Sequence, residues 1–217
     1  MARLTSPAPG MAFERVQWER GRVAVAGVDE VGKGAWAGPL SVGVVVVPVE
    51  DRLKGVRDSK LLSPDRRSLM AEKIRDWAVA SAVGNATARE CDELGMSDAQ
   101  KLAARRALNS LDYAPDALLA DGKWNFINAD VMIVRGDRKS LAIAAASILA
   151  KATRDLQMTH YAETYPWYQF DGNKGYPSPS HQAALQVYGP SPIHRTSWRW
   201  IHNLPFQLPG HQGRLFE

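Results

Sequence analysis

Three places in this sequence put carboxylates at the edge of an apolar run. Asp29 and Glu30 follow Val23–Val28, Asp121 follows Ala117–Ala120, and Asp137 stands in Arg-Gly-Asp shortly before Leu141–Ala150. A carboxylate at the end of a buried strand is costly to desolvate, so it usually keeps a cation or hydrogen-bond donors for company. Asp137 alone reads as a helix N-cap, with Gly136 suiting the turn before it. Taken with Asp29, Glu30 and Asp121 it completes an oxygen-donor set for divalent cations. Mg²⁺ or Mn²⁺, which retain part of their hydration shell, fit such a set. Open α/β sheets bind ligands beyond the carboxyl ends of their strands, where the topology changes direction.

The same stretch, Gly27-Val-Asp-Glu-Val-Gly-Lys-Gly34, is one residue short of a phosphate-binding P-loop. Gly34 stands where a magnesium-binding hydroxyl belongs, and the charges of Asp29 and Glu30 would oppose a bound phosphate. As a dinucleotide fingerprint, Gly32, Gly34 and Gly38 are too widely spaced. A P-loop nucleotide hydrolase is therefore the weaker reading. The rest of the composition narrows the chemistry further. A single cysteine, Cys91, excludes an internal disulfide and a cysteine-based zinc site, and the five histidines show no pair at helical ligand spacing. Twenty-seven basic against 23 acidic residues give a net charge of +4, which permits a nucleic-acid partner without demanding one. The N-terminus has no apolar signal core, and the longest strongly apolar stretch, Leu40–Val49, is too short to cross a bilayer. A soluble, cytoplasmic protein with no membrane partner is expected.

The carboxylates need elements to hold them. Strands are predicted at 23–28 and 41–47, joined as a hairpin through a Gly/Pro loop, with a weaker third at 79–87 and two more at 117–120 and 131–134. Ser63-Pro64 opens a helix over 64–78 with Leu69, Ile74 and Trp77 on one face, and a longer helix covers 90–109 with Leu94, Leu102 and Leu108 sharing a side. Leu141–Ala150 is apolar nearly all round and reads as a buried helix; a short one follows near 180–188. The order implies an α/β fold, a mixed sheet with a C-terminal extension, in one domain. Residues 1–20 are expected to be a flexible leader, 21–204 the catalytic domain with a substrate-reading C-terminal region, and 205–217 a flexible tail.

The motifs also occur in a telling order. Asp29-Glu-Val-Gly-Lys-Gly34 with Ala37-Gly-Pro39, Asp58-Ser-Lys60, Asp121-Gly122, Gly136-Asp137-x-Lys139 and Ala144–Lys151 are followed by Arg154-Asp155, Lys174-Gly-Tyr176-Pro177, His181 and His194-Arg195-x-Ser197. The series resembles ribonuclease HII, of the type 2 ribonuclease H family, from about residue 23 to 200. The resemblance implies a ribonuclease H-like fold, a five-stranded mixed sheet flanked by helices with a C-terminal helical extension. It implies an endoribonuclease that cuts the RNA strand of RNA–DNA hybrids and incises at single ribonucleotides embedded in duplex DNA. By the same resemblance Asp29, Glu30, Asp121 and Asp137 hold two divalent ions, Mg²⁺ or Mn²⁺. Hydrolysis would leave 5′-phosphate and 3′-hydroxyl ends. Gly32, Lys33 and Gly34, with Tyr176, would read the ribonucleotide's 2′-hydroxyl and its junction with DNA. Lys174, Lys60, Lys139 and Arg195 are candidates for phosphate contacts or for support of the acidic cluster. The family tripeptide is Gly-Arg-Gly, and Lys33 in its middle cannot make a planar bidentate contact. A monomer is implied.

The tail ends Gln212-Gly-Arg-Leu215-Phe216-Glu217. Gln-x-x-Leu-Phe resembles peptides that dock on the bacterial sliding clamp, with Leu215 and Phe216 as anchors and Gln212 as polar latch. A catalytically silent nucleic-acid-binding module of the same fold is the alternative to an enzyme. It is disfavoured because a pure binder gains nothing from four carboxylates facing phosphates.

Overall fold

The structure, a computed structural model, describes residues 8–198 and 201. It opens on a helix, α1 (Ala12–Glu19), inside the segment expected to be a flexible leader. The anchor is Glu14, fully buried, whose Oε1 accepts from the Ser140 hydroxyl at 2.6 Å and from the Ala142 amide at 2.8 Å. The carboxylate thereby serves the first amides of a much later helix, where negative charge is favoured.

Five strands follow: β1 (Val25–Val31), β2 (Leu40–Val46), β3 (Ala80–Ala86), β4 (Ala117–Asp121) and β5 (Val131–Ile133). Their spatial order is β3-β2-β1-β4-β5; β1, β2 and β3 pair antiparallel, whereas β1–β4 and β4–β5 are parallel. This is the expected five-stranded mixed sheet. The hairpin was predicted to leave its first strand at Val28. It continues through Asp29 and Glu30, which lie opposite Gly43 and Val42.

Residues directly opposed across a ladder share a face, and alternate residues switch face. Gly27, Asp29, Gly43, Val45, Leu119 and Asp121 therefore point to one side, and Val28, Glu30, Val42 and Gly84 to the other. Helix α2 (Pro64–Trp77) and the 24-residue helix α4 (Leu141–Thr164) cover the first side, and α3 (Ala88–Asn109) covers the second. Leu141–Ala150 is buried at every position, as its all-round apolarity requires. A methyl group at Gly27 would run into the Ala142 backbone, and one at Gly84 into the Ala103 carbonyl, so both helices lie directly against the sheet.

That close approach explains the misread face of α3; on α2, which packs on α4, Ile74 faces inward as predicted and Leu69 does not. Leu69 and Leu94 are exposed, and the inward positions of α2 and α3 are Ala71, Ile74, Ala99, Ala103, Ala104 and Ala107. At such short range alanine fits where leucine would not. Helix α3 starts with a Thr87/Glu90 capping box and bends at Gly95 (φ 75°). Glu90 also receives Arg106 Nη1 and Nη2 at 2.8 and 2.7 Å, and these guanidinium bonds hold its carboxyl down at about 2. A lowered carboxyl pKa stabilises the fold above its unfolded value and ceases to do so as pH falls through the folded one. Glu90→Gln is expected to lower the melting temperature at pH 7, and the gap from wild type to close between pH about 4.5 and 2 in a series of thermal melts. A gap that stays constant over that range would exclude the charge as its source.

The C-terminal region adds two short helices, α5 (Phe170–Asn173) and α6 (Pro179–Tyr188). They close a separate cluster of Trp36, Ala37, Met158, Tyr168, Phe170 and Leu185 beside the β1–β2 loop. No helix among the described residues is long and apolar enough to cross a membrane.

Candidate active site

The parallel pairing of β1 with β4 stops at Val28–Ala120, so Asp29 and Asp121 leave the same end of the sheet on the same face. This is the point where strand direction changes across the sheet, between β1 and its opposite neighbours β2 and β4. Asp137 arrives from the turn at Gly136–Arg138, just before α4. Its N-cap reading is overturned: Ser140 caps α4, accepting from the Ile143 amide at 3.2 Å, and Asp137 is left to face the cleft. Asp29, Glu30, Asp121 and Asp137 all line one open cleft of about 490 Å³, together with Ser59, Lys60, Ser147, Lys151 and Tyr176.

The P-loop alternative does not survive this geometry. Chain after Gly34 returns as β2 of an antiparallel hairpin, with no helix N-terminus to receive a phosphate.

The carboxylates load the cleft with more negative charge than the nearby cations offset. Burial first, then the charge of Glu30, push the Asp29 carboxyl well above its usual range; a Ser147 hydrogen bond opposes them and Asp121 adds to the rise. Glu30 is raised by burial, with Lys33 opposing and Asp121 reinforcing. Asp137 is raised by burial and by Asp58 and Asp121. Asp121 Oδ1 accepts from the Gly136 amide at 2.6 Å, which ties the end of β4 to the Asp137 turn. Among the described residues no three histidine, cysteine or acidic side chains come close enough together to hold a metal ion as they stand. An open, all-oxygen donor set with repelling charges does fit hard divalent ions that keep water and take further oxygens from a phosphate.

Ser147 and Lys151 also line the cleft, and neither is assigned a role by the sequence alone. Ser147 is the one hydroxyl in the apolar first half of α4; it bonds Asp29 and lies 3.1 Å from the Ser59 hydroxyl. Lys151 follows one turn later, 2.6 Å from Asp155 and with its ammonium 5.7 Å from the centre of the Tyr176 ring. A lone polar position in a buried helix face was the signal available for Ser147.

Beside the carboxylates runs the Gly32-Lys33-Gly34 loop. The Gly32 amide donates to the Tyr176 hydroxyl at 3.1 Å, and at φ 89° a side chain there would also strike Arg154 and the Pro39 carbonyl. Arg154, fully buried, holds the loop's return through the carbonyls of Pro39, Ala37 and Lys174 at 2.8, 3.0 and 2.9 Å. Arg195 is equally buried and donates to the Gly38 and Lys33 carbonyls. It supports the loop from below and is not a phosphate contact.

Lys60 does line the cleft, whereas Lys174 does not. Lys174 Nζ is spent on Thr159 Oγ1 and the Asp171 carbonyl at 3.0 and 2.6 Å, outside the acidic cluster. Lys139 is absent from the cleft lining as well. Lys33 Nζ donates to the buried Gln100 Oε1 at 3.0 Å and lies 5.8 Å from the Trp124 ring centre, so its ammonium is directed toward α3. Gln212, Leu215 and Phe216 lie outside the described residues.

Residues 26–201 match the family model described as Ribonuclease HII. The chain is 46% identical over 195 residues to a ribonuclease HII of Thermus thermophilus, covering 88% of this chain and 94% of that one. It is 43% identical over 188 residues to a ribonuclease HII of Streptomyces avermitilis, covering 85% and 81%. Among solved structures it resembles that of a PCNA:RNase HII complex from Archaeoglobus fulgidus, with a TM-score of 0.71 and 28% identity over 84% of this chain and 97% of that one.

Proposed function

The chain belongs to the ribonuclease HII family, and from that premise we propose that the cleft at the ends of β1 and β4 is its active site, cutting RNA within RNA–DNA hybrids and at single ribonucleotides in duplex DNA. The family is one of metal-dependent endoribonucleases. The observation that carries the site assignment is the joint lining of one cleft by Asp29, Glu30, Asp121 and Asp137, with the Tyr176–Gly32 contact beside it.

The four carboxylates would hold the divalent ions, Mg²⁺ or Mn²⁺, which when bound lower the pKa of a water and stabilise the charge on a leaving oxygen. The protein's own contributions follow from the geometry. Glu14 and Ser140 fix the turn that carries Asp137, and the Gly136 amide ties that turn to Asp121 at the end of β4. Ser147 orients Asp29 from α4. Lys60 and Lys151 supply positive charge along the cleft for the substrate's phosphates. Tyr176 and the backbone of Gly32–Gly34 would read the 2′-hydroxyl, the one group that separates RNA from DNA, and the Gly32–Tyr176 hydrogen bond beside the carboxylates supports that reading. The test is cleavage of a uniform RNA–DNA hybrid with Mg²⁺, Mn²⁺ or EDTA. Metal-dependent hydrolysis of the RNA strand alone is expected; cutting in EDTA, or binding without cutting under every condition, would reject the reading.

Lys33 is expected to shape junction choice and not metal use, because its ammonium is seated on Gln100 and beside Trp124. Lys33→Arg should change the ratio of incision at a single ribonucleotide to cleavage within a continuous hybrid, with the metal titration unmoved. Identical cleavage patterns would remove Lys33 from junction reading. For the tail, Gln212, Leu215 and Phe216 are proposed to dock on a sliding clamp. The sequence pattern and the clamp complex of the archaeal relative support this. Equal capture of intact and tail-deleted protein by the clamp would refute it.

A further inference from the structure

His181 and His194 are 0% and 2% exposed, and their Nε2 atoms lie 2.9 Å apart. Neither belongs to the cleft. A contact between two ring nitrogens requires one of them to carry a hydrogen and the other a lone pair. The ends of the chain decide which. At one end the Ser191 amide, which can only donate, points to His194 Nδ1 at 2.9 Å, with the Ser191 hydroxyl at 2.8 Å. His194 Nδ1 is thus an acceptor, and its proton sits on Nε2. At the other end His181 Nδ1 is 3.0 Å from the Tyr176 carbonyl, which can only accept. The proton of His181 therefore sits on Nδ1, leaving its Nε2 to accept from His194. Both ends independently give the same pair of neutral tautomers, and an extra proton on either ring would set two N–H groups against each other.

The surroundings favour that neutral state. Tyr168 and Phe170 contact both rings, with centroid distances of 4.8–6.2 Å, and Trp36 lies 5.9 Å from His181. Burial lowers both histidines, His194 to about 3.

We propose that the His181–His194 pair is a positioning device for the tyrosine that reads the ribonucleotide. Tyr176 is held at three points: its amide donates to the Asn173 carbonyl at 3.0 Å, its carbonyl faces His181 Nδ1, and its hydroxyl accepts from the Gly32 amide. The loop that ends the chain of bonds is joined to the reading loop as well. Gly38 donates to the Ile193 carbonyl and Arg195 to the Trp36 carbonyl, both at 2.8 Å, while Trp36 donates to the Gly175 carbonyl at 2.8 Å. The histidine pair thus closes a ring through residues 32–38, 175–176 and 191–195, and sets the height of the Tyr176 hydroxyl over the cleft. This rests on the assignment of Tyr176 as a substrate-reading residue.

The test measures a selectivity ratio, incision at a single ribonucleotide in DNA over cleavage within a continuous hybrid. It compares wild type, His181→Phe, His181→Asn, Tyr176→Phe and the His181→Phe/Tyr176→Phe double variant. His181→Phe keeps an apolar ring in the aromatic cage but lacks the donor, and is expected to lower the ratio on the order of tenfold. His181→Asn, which can still donate to the Tyr176 carbonyl, is expected to recover most of it. The double variant should lose no more than Tyr176→Phe alone, because the histidine acts through the tyrosine. Nitrogen-15 spectra of the wild-type protein at pH 7 should show an Nδ1–H tautomer for His181 and an Nε2–H tautomer for His194, a readout that needs no variant to fold. An unchanged ratio in His181→Phe beside a lowered one in Tyr176→Phe, equal losses on both substrates, multiplied effects in the double variant, or the opposite tautomers would each overturn the proposal. An unchanged ratio in Tyr176→Phe would instead reject the reading of Tyr176, and the proposal with it.

Discussion

Asp29→Asn is expected to lower turnover on an RNA–DNA hybrid by on the order of 10³-fold, with the protein fully folded. The magnitude follows from the several kcal/mol that a divalent ion contributes to charge stabilisation, at about 1.4 kcal/mol per tenfold in rate. The unaltered fold follows from the site. Asp29 occupies a buried position on β1 where desolvation and the neighbouring Glu30 and Asp121 disfavour its charge. An acid whose folded pKa is raised stabilises the fold only when protonated, and that stabilisation is lost as pH rises through the folded value. Asparagine is neutral and nearly the same size, and it retains an oxygen for the Glu30 amide that Asp29 Oδ1 now serves at 2.8 Å. In EDTA at pH 7 the variant should therefore melt no lower than wild type. Adding Mg²⁺ or Mn²⁺ should raise the melting temperature of wild type well above that of the variant, since only a bound ion shifts the folding equilibrium. A variant that is inactive only because it is unfolded would show neither pattern.

Arg154→Met is expected to be the most damaging change outside the carboxylates. Methionine fills much of the volume of the arginine stem but supplies no donor to the carbonyls of Pro39, Ala37 and Lys174. Leaving a buried polar group unpaired costs about 1–3 kcal/mol. With partial relaxation, a total of about 4 kcal/mol is expected for the three. In a chain of this size that lowers the melting temperature by about 10 °C. Function should suffer beyond stability, because the same guanidinium lies against Gly32 and 5.3 Å from the Tyr176 ring centre. Incision at a single ribonucleotide, measured well below the melting transition, should fall more than cleavage of a continuous hybrid. A shift of the melting temperature below about 2 °C would mean that these carbonyls find other donors.

The sequence was most legible where a residue type was anomalous for its neighbourhood. Asp29, Glu30 and Asp121 stood out because charge rarely ends a buried apolar run without company, and all three line the cleft. Asp137 was ambiguous by itself, since a cap and a cleft ligand look alike locally. Only the sight of Ser140 capping α4 separates them. Features held by distant partners were not legible. Helix α1 depends on Glu14 meeting a hydroxyl 126 residues away, and no local period announces that. The directions of Lys174 and Arg195 are set by carbonyls that converge only in the fold, so a shared positive charge said nothing of where each ammonium or guanidinium would go. Leucine periodicity misplaced the inner face of α3 because glycine on β3 lets the helix so close that alanine is the residue that fits. The five histidines look scattered in the sequence, and only the fold brings His194 back onto His181, ring to ring.

The most direct measurement is the product analysis of a DNA duplex carrying one ribonucleotide, treated with the 217-residue chain in Mg²⁺ or Mn²⁺. Incision confined to the ribonucleotide, with 5′-phosphate and 3′-hydroxyl ends, is expected, together with its loss in EDTA and in Asp29→Asn and an intact all-DNA control. Cutting of the all-DNA duplex, cutting in EDTA, or a 2′,3′-cyclic phosphate product would contradict hydrolysis by a carboxylate-held metal site that reads the 2′-hydroxyl. The cyclic product would make that hydroxyl the nucleophile in place of water.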